Sequence, residues 1–128
     1  MNTCLVSARV LFPLATISAC DFGGGDCTGE LQPMIVASVS DAETGQDLVA
    51  GVTLVAYSGS ARDSVTYLAA PVGEPTIALF PRILGAGTYT VEIRHPNYQT
   101  WQRQGVIVRT DRCHKTIPTS LVASLDPL

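Results

Sequence analysis

Basic residues are scarce in this sequence. Lysine and arginine together number 8, against 11 aspartates and glutamates, and the formal net charge of the 128 residues is -3. The sequence therefore lacks the concentrated positive surface that binding to a phosphate backbone requires, and we exclude nucleic acid as a partner. A chain of this length is expected to fold as a single domain around one core.

Long apolar runs are also missing. No stretch reaches the roughly 18 consecutive apolar residues that a bilayer-spanning helix needs. The apolar stretch near the start is short and is interrupted by Pro13, which disfavours a helix interior. If a membrane holds this protein, something other than a spanning helix must provide the attachment.

Residues 1–19 have the three-part pattern of an export signal. Met1 to Arg9 contain several polar residues and one positive charge, Val10 to Ile17 are mostly apolar, and two small residues follow. This order of charged, apolar and small segments is typical of a cleaved signal peptide. We therefore expect residues 1–19 to be removed from the mature protein.

The four residues "ISAC", Ile17 to Cys20, resemble the lipobox of bacterial lipoproteins, in which an aliphatic residue and two small residues precede a cysteine. The resemblance implies cleavage between Ala19 and Cys20 and attachment of a lipid to the thiol of Cys20. Because several acyl chains anchor a protein stably, it also implies a protein exported and held on a bacterial envelope membrane, on its periplasmic or cell-surface side. The alternatives are an ordinary cysteine after a plain secretory signal, or a cysteine in a cytosolic core.

The lipoprotein resemblance also bears on the other cysteines. Four cysteines allow three pairings if all remain in the mature chain. A lipoprotein would lose Cys4 with the signal and modify Cys20, which leaves Cys27 and Cys113 to form one disulfide in an oxidising compartment. The alternative is a metal site at Cys27, Cys113 and the adjacent His114. The sequence has no paired short-spacing ligand motif, so we expect neither metal nor cofactor.

Residues 20–33 are predicted to be the anchored cysteine and a flexible tether. Between Cys20 and Cys27 lie the six residues "DFGGGD", of which three are glycines. A coil of this length typically spans about 13 to 15 Å and cannot exceed roughly 25 Å. A domain on such a tether must stay close to the lipid surface.

Residues 34–128 are predicted to form one all-β domain. Short apolar or alternating runs are separated by glycine, proline and acidic residues, and the alternation is clearest in "TYTVEIR". No amphipathic helical pattern competes. Seven strands in two packed sheets are predicted, over the runs Met34–Ser40, Gly51–Ser58, Ser64–Ala69, Thr76–Phe80, Thr88–Arg94, Gly105–Thr110 and Thr119–Leu125.

Two stretches, "VSDAETGQDLVAGVTL" (Val39 to Leu54) and "LGAGTYTVEIRHPNYQTWQRQGVIVRTDRC" (Leu84 to Cys113), resemble the carboxypeptidase regulatory-like domain. That family has a transthyretin-like β-sandwich, also described as immunoglobulin-like or prealbumin-like, and is common in bacterial surface and secreted proteins. The positions that match its motifs are Asp41, Thr44, Gly45, Gly87, Tyr89, Val91, Ile93 and Tyr98. The resemblance implies a seven-stranded sandwich, but its motifs are structural and imply no activity.

Catalytic motifs of related enzymes are absent. Neither His95 nor His114 begins the His-x-x-Glu motif that would accompany a carboxypeptidase zinc. The Tyr-Arg-Gly-Ser motif of hydroxyisourate hydrolase, an enzyme on the transthyretin fold, is also absent. So is a Gly-x-Ser-x-Gly nucleophile elbow. We therefore expect no enzyme, with an uncatalogued hydrolase as the less favoured alternative.

Tyr98 and Trp101 are the candidate binding surface, because aromatic rings stack on sugars. Three positions separate them, so on one strand their side chains would lie on opposite faces, and packing is the alternative. The sequence thus predicts a non-enzymatic, lipid-anchored accessory or binding module. Its partner would be an unidentified envelope protein, a peptide, or a glycan of the cell wall.

Overall fold

The computed structural model describes residues 27, 29–70, 73 and 75–128. The predicted export signal and Cys20 lie outside these residues. Within the described part of the chain the regular structure is all β, and no helix there is long and apolar enough to cross a membrane. Its strands are β1 (Ile35–Asp41), β2 (Thr53–Ser58), β3 (Ala61–Thr66), β4 (Thr76–Leu79), β5 (Gly87–Arg94), β6 (Trp101–Thr110), β7 (Thr116–Ile117) and β8 (Thr119–Leu125).

The strands form two sheets. The small sheet has the order β4-β1-β8 and the large sheet the order β3-β2-β5-β6-β7. β1 and β8 run parallel, whereas the other pairs are antiparallel. Buried residues from both sheets belong to a single apolar cluster. This arrangement is consistent with a β-sandwich.

The all-β prediction is confirmed, but the described residues contain eight strands where seven were predicted. The additional strand is β7, a pair of residues before Pro118 that is too short to produce a periodic pattern. β6 also begins four residues earlier than predicted, at Trp101 in place of Gly105. Residues 102–105 are exposed, so the start of β6 lacks the alternation of polar and apolar residues that marks a half-buried strand.

The core follows the alternation of the sequence. In β5, Tyr89, Val91 and Ile93 are buried, and in β6 the same holds for Val106 and Val108. Across the core, the inward-facing residues of the small sheet are Ile35, Ala37, Val39, Ile77, Leu79, Leu121, Ala123 and Leu125. One face of β1, β4, β5, β8 and the end of β6 is therefore apolar, because period-2 alternation places every second side chain between the sheets.

Tyr67 connects the edges of the two sheets. Its backbone extends the pairing of the large sheet, where its amide donates to the carbonyl of Val52 and its carbonyl accepts from the amide of Gly51. Its hydroxyl bonds β4 of the small sheet, accepting from the Ala78 amide at 2.9 Å and donating to the Ala78 carbonyl at 3.1 Å. One phenol thus satisfies both backbone groups of an edge position that β1 leaves unpaired.

The strand directions define two ends of the domain. At the base end, the first residue of β1 pairs with the last of β4 and the first of β8. Three segments lie together at the base end and share one shallow cleft, residues 29–34, 80–86 and 109–118. At the distal end lie the connections 42–52, 67–70 and 95–100 and the last residues of the chain.

Candidate functional site

A disulfide joins Cys27 to Cys113 at the base end, across 86 positions of sequence and with 5.6 Å between the Cα atoms. Cys113 lies in the turn between β6 and β7. The turn is held by Asp111, whose Oδ1 accepts from the amides of Cys113 at 2.8 Å and Lys115 at 3.1 Å. His114 has a φ of 59°, in the left-handed region. The chain therefore enters the domain at a covalently fixed position.

A side-chain bond next to the disulfide reinforces this attachment. The hydroxyl of Thr116, a buried residue of β7, donates to the carbonyl of Gln32 at 2.9 Å. Thr119 donates from its hydroxyl to the carbonyl of Ile107 in β6 at 2.8 Å. Because β7 belongs to the large sheet and β8 to the small sheet, these bonds close the sandwich where the chain passes from one sheet to the other at Pro118.

At the distal end, Asp41 occupies the last position of β1. Its Oδ1 accepts from the amides of Glu43 at 2.7 Å and Thr44 at 3.0 Å, and its Oδ2 accepts from the hydroxyl of Tyr98 at 2.6 Å. The following Gly45 has a φ of 73°, which favours glycine. The "D..TG" pattern in the sequence therefore describes a turn that the carboxylate itself stabilises.

The hydrogen bonds shift the pKa values of both partners. The Tyr98 hydroxyl, followed by the Thr44 amide, holds the pKa of Asp41 below its usual value. The bond to Asp41 in turn raises the pKa of Tyr98. Each shift has the same cause, because the bond requires a protonated phenol and is strongest to an ionised carboxylate.

The predicted binding residues, Tyr98 and Trp101, are both partly buried against the core. The ring of Tyr98 meets that of His95 edge-on, with centroids 4.9 Å apart. Trp101 is the first residue of β6 and lies opposite Ile93, and the guanidinium of Arg103 lies 5.0 Å from its ring centroid. Both rings therefore have partners within the domain, and the structure brings them to the same end without stacking them as one platform.

A row of polar side chains crosses the outer face of the large sheet. Tyr57 of β2 donates from its hydroxyl to Oε1 of Glu92 at 3.2 Å and accepts from Nε2 of Gln102 at 3.0 Å. Arg94 forms an ion pair with the same carboxylate of Glu92. We call Tyr57, Glu92, Arg94 and Gln102 the polar row. The sequence analysis did not identify it, although Glu92 and Arg94 stand at the outward positions of a clearly alternating strand.

An ion pair links the edge of the large sheet at β3 to the neighbouring edge of the small sheet at β4. Asp63 of β3 is buried, and its Oδ1 accepts from Nη2 of Arg82 at 3.1 Å and from the amide of Ser64 at 2.8 Å. Burial raises the pKa of Asp63, but the bonds from Arg82 and Ser64 outweigh it, so the carboxyl lies below its usual pKa. This pair is a structural contact between β3 and the segment that follows β4.

Among the residues that the structure describes, no group of three or more histidine, cysteine or acidic side chains is arranged to hold a metal ion. No protein-family model matches the chain, and no curated protein matches it in sequence. The case for a function therefore depends on the placement of the residues themselves.

Proposed function

We propose that this chain is a non-enzymatic, lipid-anchored protein of a bacterial envelope, with a transthyretin-like sandwich that acts as an accessory or binding module close to the membrane. The observation that carries the proposal is the disulfide between Cys27 and Cys113. It fixes the start of the domain at the base end, with only six residues between Cys27 and the lipobox cysteine Cys20. Disulfides persist in oxidising compartments, which supports export.

The position of the disulfide limits how far the domain could lie from a lipid anchor at Cys20. Because Cys27 is bonded into the base end, the length of chain between lipid and domain is limited to "DFGGGD", about 25 Å at most. The distal end and the polar row then point away from or alongside the lipid surface. The two-sheet order, with a parallel pair of β1 and β8, supports assignment to a transthyretin-like sandwich.

The anchor is tested by replacing the lipobox cysteine. Cys20→Ser in a bacterial host should abolish labelling with radioactive palmitate and release the protein from the membrane fraction. Cys4→Ser is the matched control, since Cys4 belongs to the segment expected to be removed, and it should leave labelling unchanged. Continued palmitate labelling of the Cys20→Ser chain would refute the proposal.

A glycan-binding module is the second candidate function, and the polar row favours it. Tyr57, Glu92 and Gln102 offer an aromatic ring, a carboxylate and an amide on the outer face of one sheet, and these groups suit the hydroxyls and apolar faces of sugars. In a co-sedimentation assay with purified peptidoglycan, Tyr57→Ala should then abolish binding. Trp101→Ala tests the surface predicted from the sequence, and Val122→Ala, on an exposed position of the small sheet, is the control.

A further inference from the structure

The base end combines exposed apolar side chains with arginines. Leu31 is 63% exposed, Ile83 is 73% exposed and Ile117 is 50% exposed. Leu31 lines the shared cleft, and Ile83 and Ile117 belong to the two other segments that meet there, so the three come from residues 29–34, 80–86 and 109–118. Isolated exposed apolar residues are ordinary, but three from separate segments at one end of a domain mark a contact surface.

The charges around these residues are predominantly positive. The same three segments contain the cations Arg82, Arg109, Arg112 and Lys115 and the acids Glu30 and Asp111. Arg82 pairs with Asp63 but keeps a side chain that is 71% exposed. The carboxylate of Asp111 accepts the amides of its own turn. This excess of positive charge at the base end contrasts with the net charge of -3 for the whole chain.

We infer that the base end is a membrane-contact surface, on which Leu31, Ile83 and Ile117 enter the interface of an anionic bilayer while Arg109 and Arg112 bind its phosphate groups. Two observations identify the occupant as a lipid surface. One is the charge, since exposed apolar side chains flanked by arginines match the headgroup boundary. The other is the length of chain between Cys20 and the Cys27–Cys113 disulfide, which this inference takes from the proposed anchor.

The disulfide gives the surface its orientation. A flexible tether alone would let the domain rotate freely about its attachment. Because Cys113 lies between Arg112 and His114, the bond to Cys27 keeps the β6–β7 turn at the point where the tether enters. The acidic Asp21 and Asp26 of the tether oppose attraction to anionic lipid, so the arginines and the apolar side chains must supply it.

The orientation is tested on the wild-type lipidated protein, which avoids any question of folding. Hydroxyl-radical footprinting compares this protein in vesicles containing phosphatidylglycerol with the unlipidated Cys20→Ser chain in buffer. We expect protection of Leu31, Ile83 and Ile117, and unchanged labelling of Leu68 and Leu128, which are exposed at the distal end. If Leu31, Ile83 and Ile117 are labelled as strongly in the vesicle sample as in buffer, the inference is overturned.

The contact itself is tested without the anchor. The Cys20→Ser chain should sediment with phosphatidylglycerol vesicles, less at high salt, and only weakly with vesicles of phosphatidylcholine alone. Arg109→Gln and Arg112→Gln should each weaken binding about fivefold. Arg103→Gln, on the same strand as Arg109 but away from the base end, is the matched control. If Cys20→Ser abolishes palmitate labelling but the unlipidated chain does not bind vesicles, the anchor is upheld and the contact surface is refuted. If labelling continues and the chain does bind vesicles, only the anchor is refuted.

Discussion

The hydroxyl of Tyr98 donates a 2.6 Å hydrogen bond to Oδ2 of Asp41, 57 positions earlier in the chain. Asp41 ends a strand of the small sheet, whereas Tyr98 lies in the connection between β5 and β6 of the large sheet. The second carboxylate oxygen caps the turn that begins at Asp41. One buried carboxylate therefore holds a local turn and joins the two sheets at the distal end.

This bond predicts a change in acid stability on Tyr98→Phe. The pKa of Asp41 is lowered in the folded state, chiefly by Tyr98, so its contribution to stability is present above the usual carboxyl pKa and is lost as pH falls through the lowered value. The variant should have a lower Tm at neutral pH, and the difference from wild type should shrink below about pH 4. Thermal unfolding followed by circular dichroism between neutral and acid pH measures it. Other carboxylates contribute equally in both proteins. A Tm difference that stays constant as the pH falls would therefore contradict the role of the bond between Tyr98 and Asp41.

Removal of the disulfide should lower the free energy of unfolding substantially. The bridge spans 86 positions, and for a loop of that size the chain-entropy model gives about 4 to 5 kcal/mol as an upper value. Urea unfolding of Cys27→Ala/Cys113→Ala against wild type measures the loss. Mass spectrometry of the non-reduced wild-type protein should find both cysteines in one cross-linked peptide pair. Two free thiols at these positions would disprove the bridge.

Gly51→Ala should be more destabilising than Gly45→Ala. Both glycines have positive φ, 84° and 73°, so alanine at either position costs about 1 to 2 kcal/mol of backbone energy. A Cβ at Gly51 would also lie 3.1 Å from Nε2 of His95, whereas a Cβ at Gly45 meets nothing within 4 Å. His95→Ala should therefore reduce the cost of Gly51→Ala and leave that of Gly45→Ala unchanged. Urea unfolding measures these costs. If Gly51→Ala lowers the free energy of unfolding equally in the wild-type and His95→Ala backgrounds, the contact with His95 is excluded.

Tyr67→Phe should destabilise the edge strand β4. The hydroxyl is the partner of both the amide and the carbonyl of Ala78, so its loss should cost about 1 to 3 kcal/mol. The uncovered edge should also increase association, which light scattering detects. Tyr57→Phe is the control, because the Tyr57 hydroxyl bonds only side chains. If both variants behave alike, Tyr67 does not protect the edge.

Much of the fold was accessible from local patterns. Alternation identified the inward positions of β5 and the end of β6, and glycine, proline and acidic residues marked the connections. β7 and the first residues of β6 were missed, because a two-residue strand has no period and residues 102–105 are all exposed. Neither segment has a hydrophobic alternation that would mark it as a strand. Each is a strand because a neighbouring strand lies beside it and pairs with it.

The site was less accessible. Arg103 lies against Trp101, two positions earlier on the same strand, and this contact was missed because the start of β6 was not predicted as a strand. The sequence also directed attention to Tyr98 as an aromatic residue, but it contained no sign that Tyr98 bonds Asp41. The polar row likewise combines residues of β2, β5 and β6, whose register is unknown until the strands pair. Such contacts are long-range, and local composition does not encode which partner a side chain meets.

The sequence by itself determined the all-β class, the apolar face of the main strands and the Asp41 turn, because these depend on side-chain period and on residues adjacent in the chain. The tertiary structure alone decided which residues meet at each end. It brought the segments that carry Leu31, Ile83 and Ile117 to the end of the domain where the Cys27–Cys113 bridge lies, and it placed Tyr67 on the edge of β4. These groupings arise when two sheets close on one core and bring distant connections to the same end of the domain.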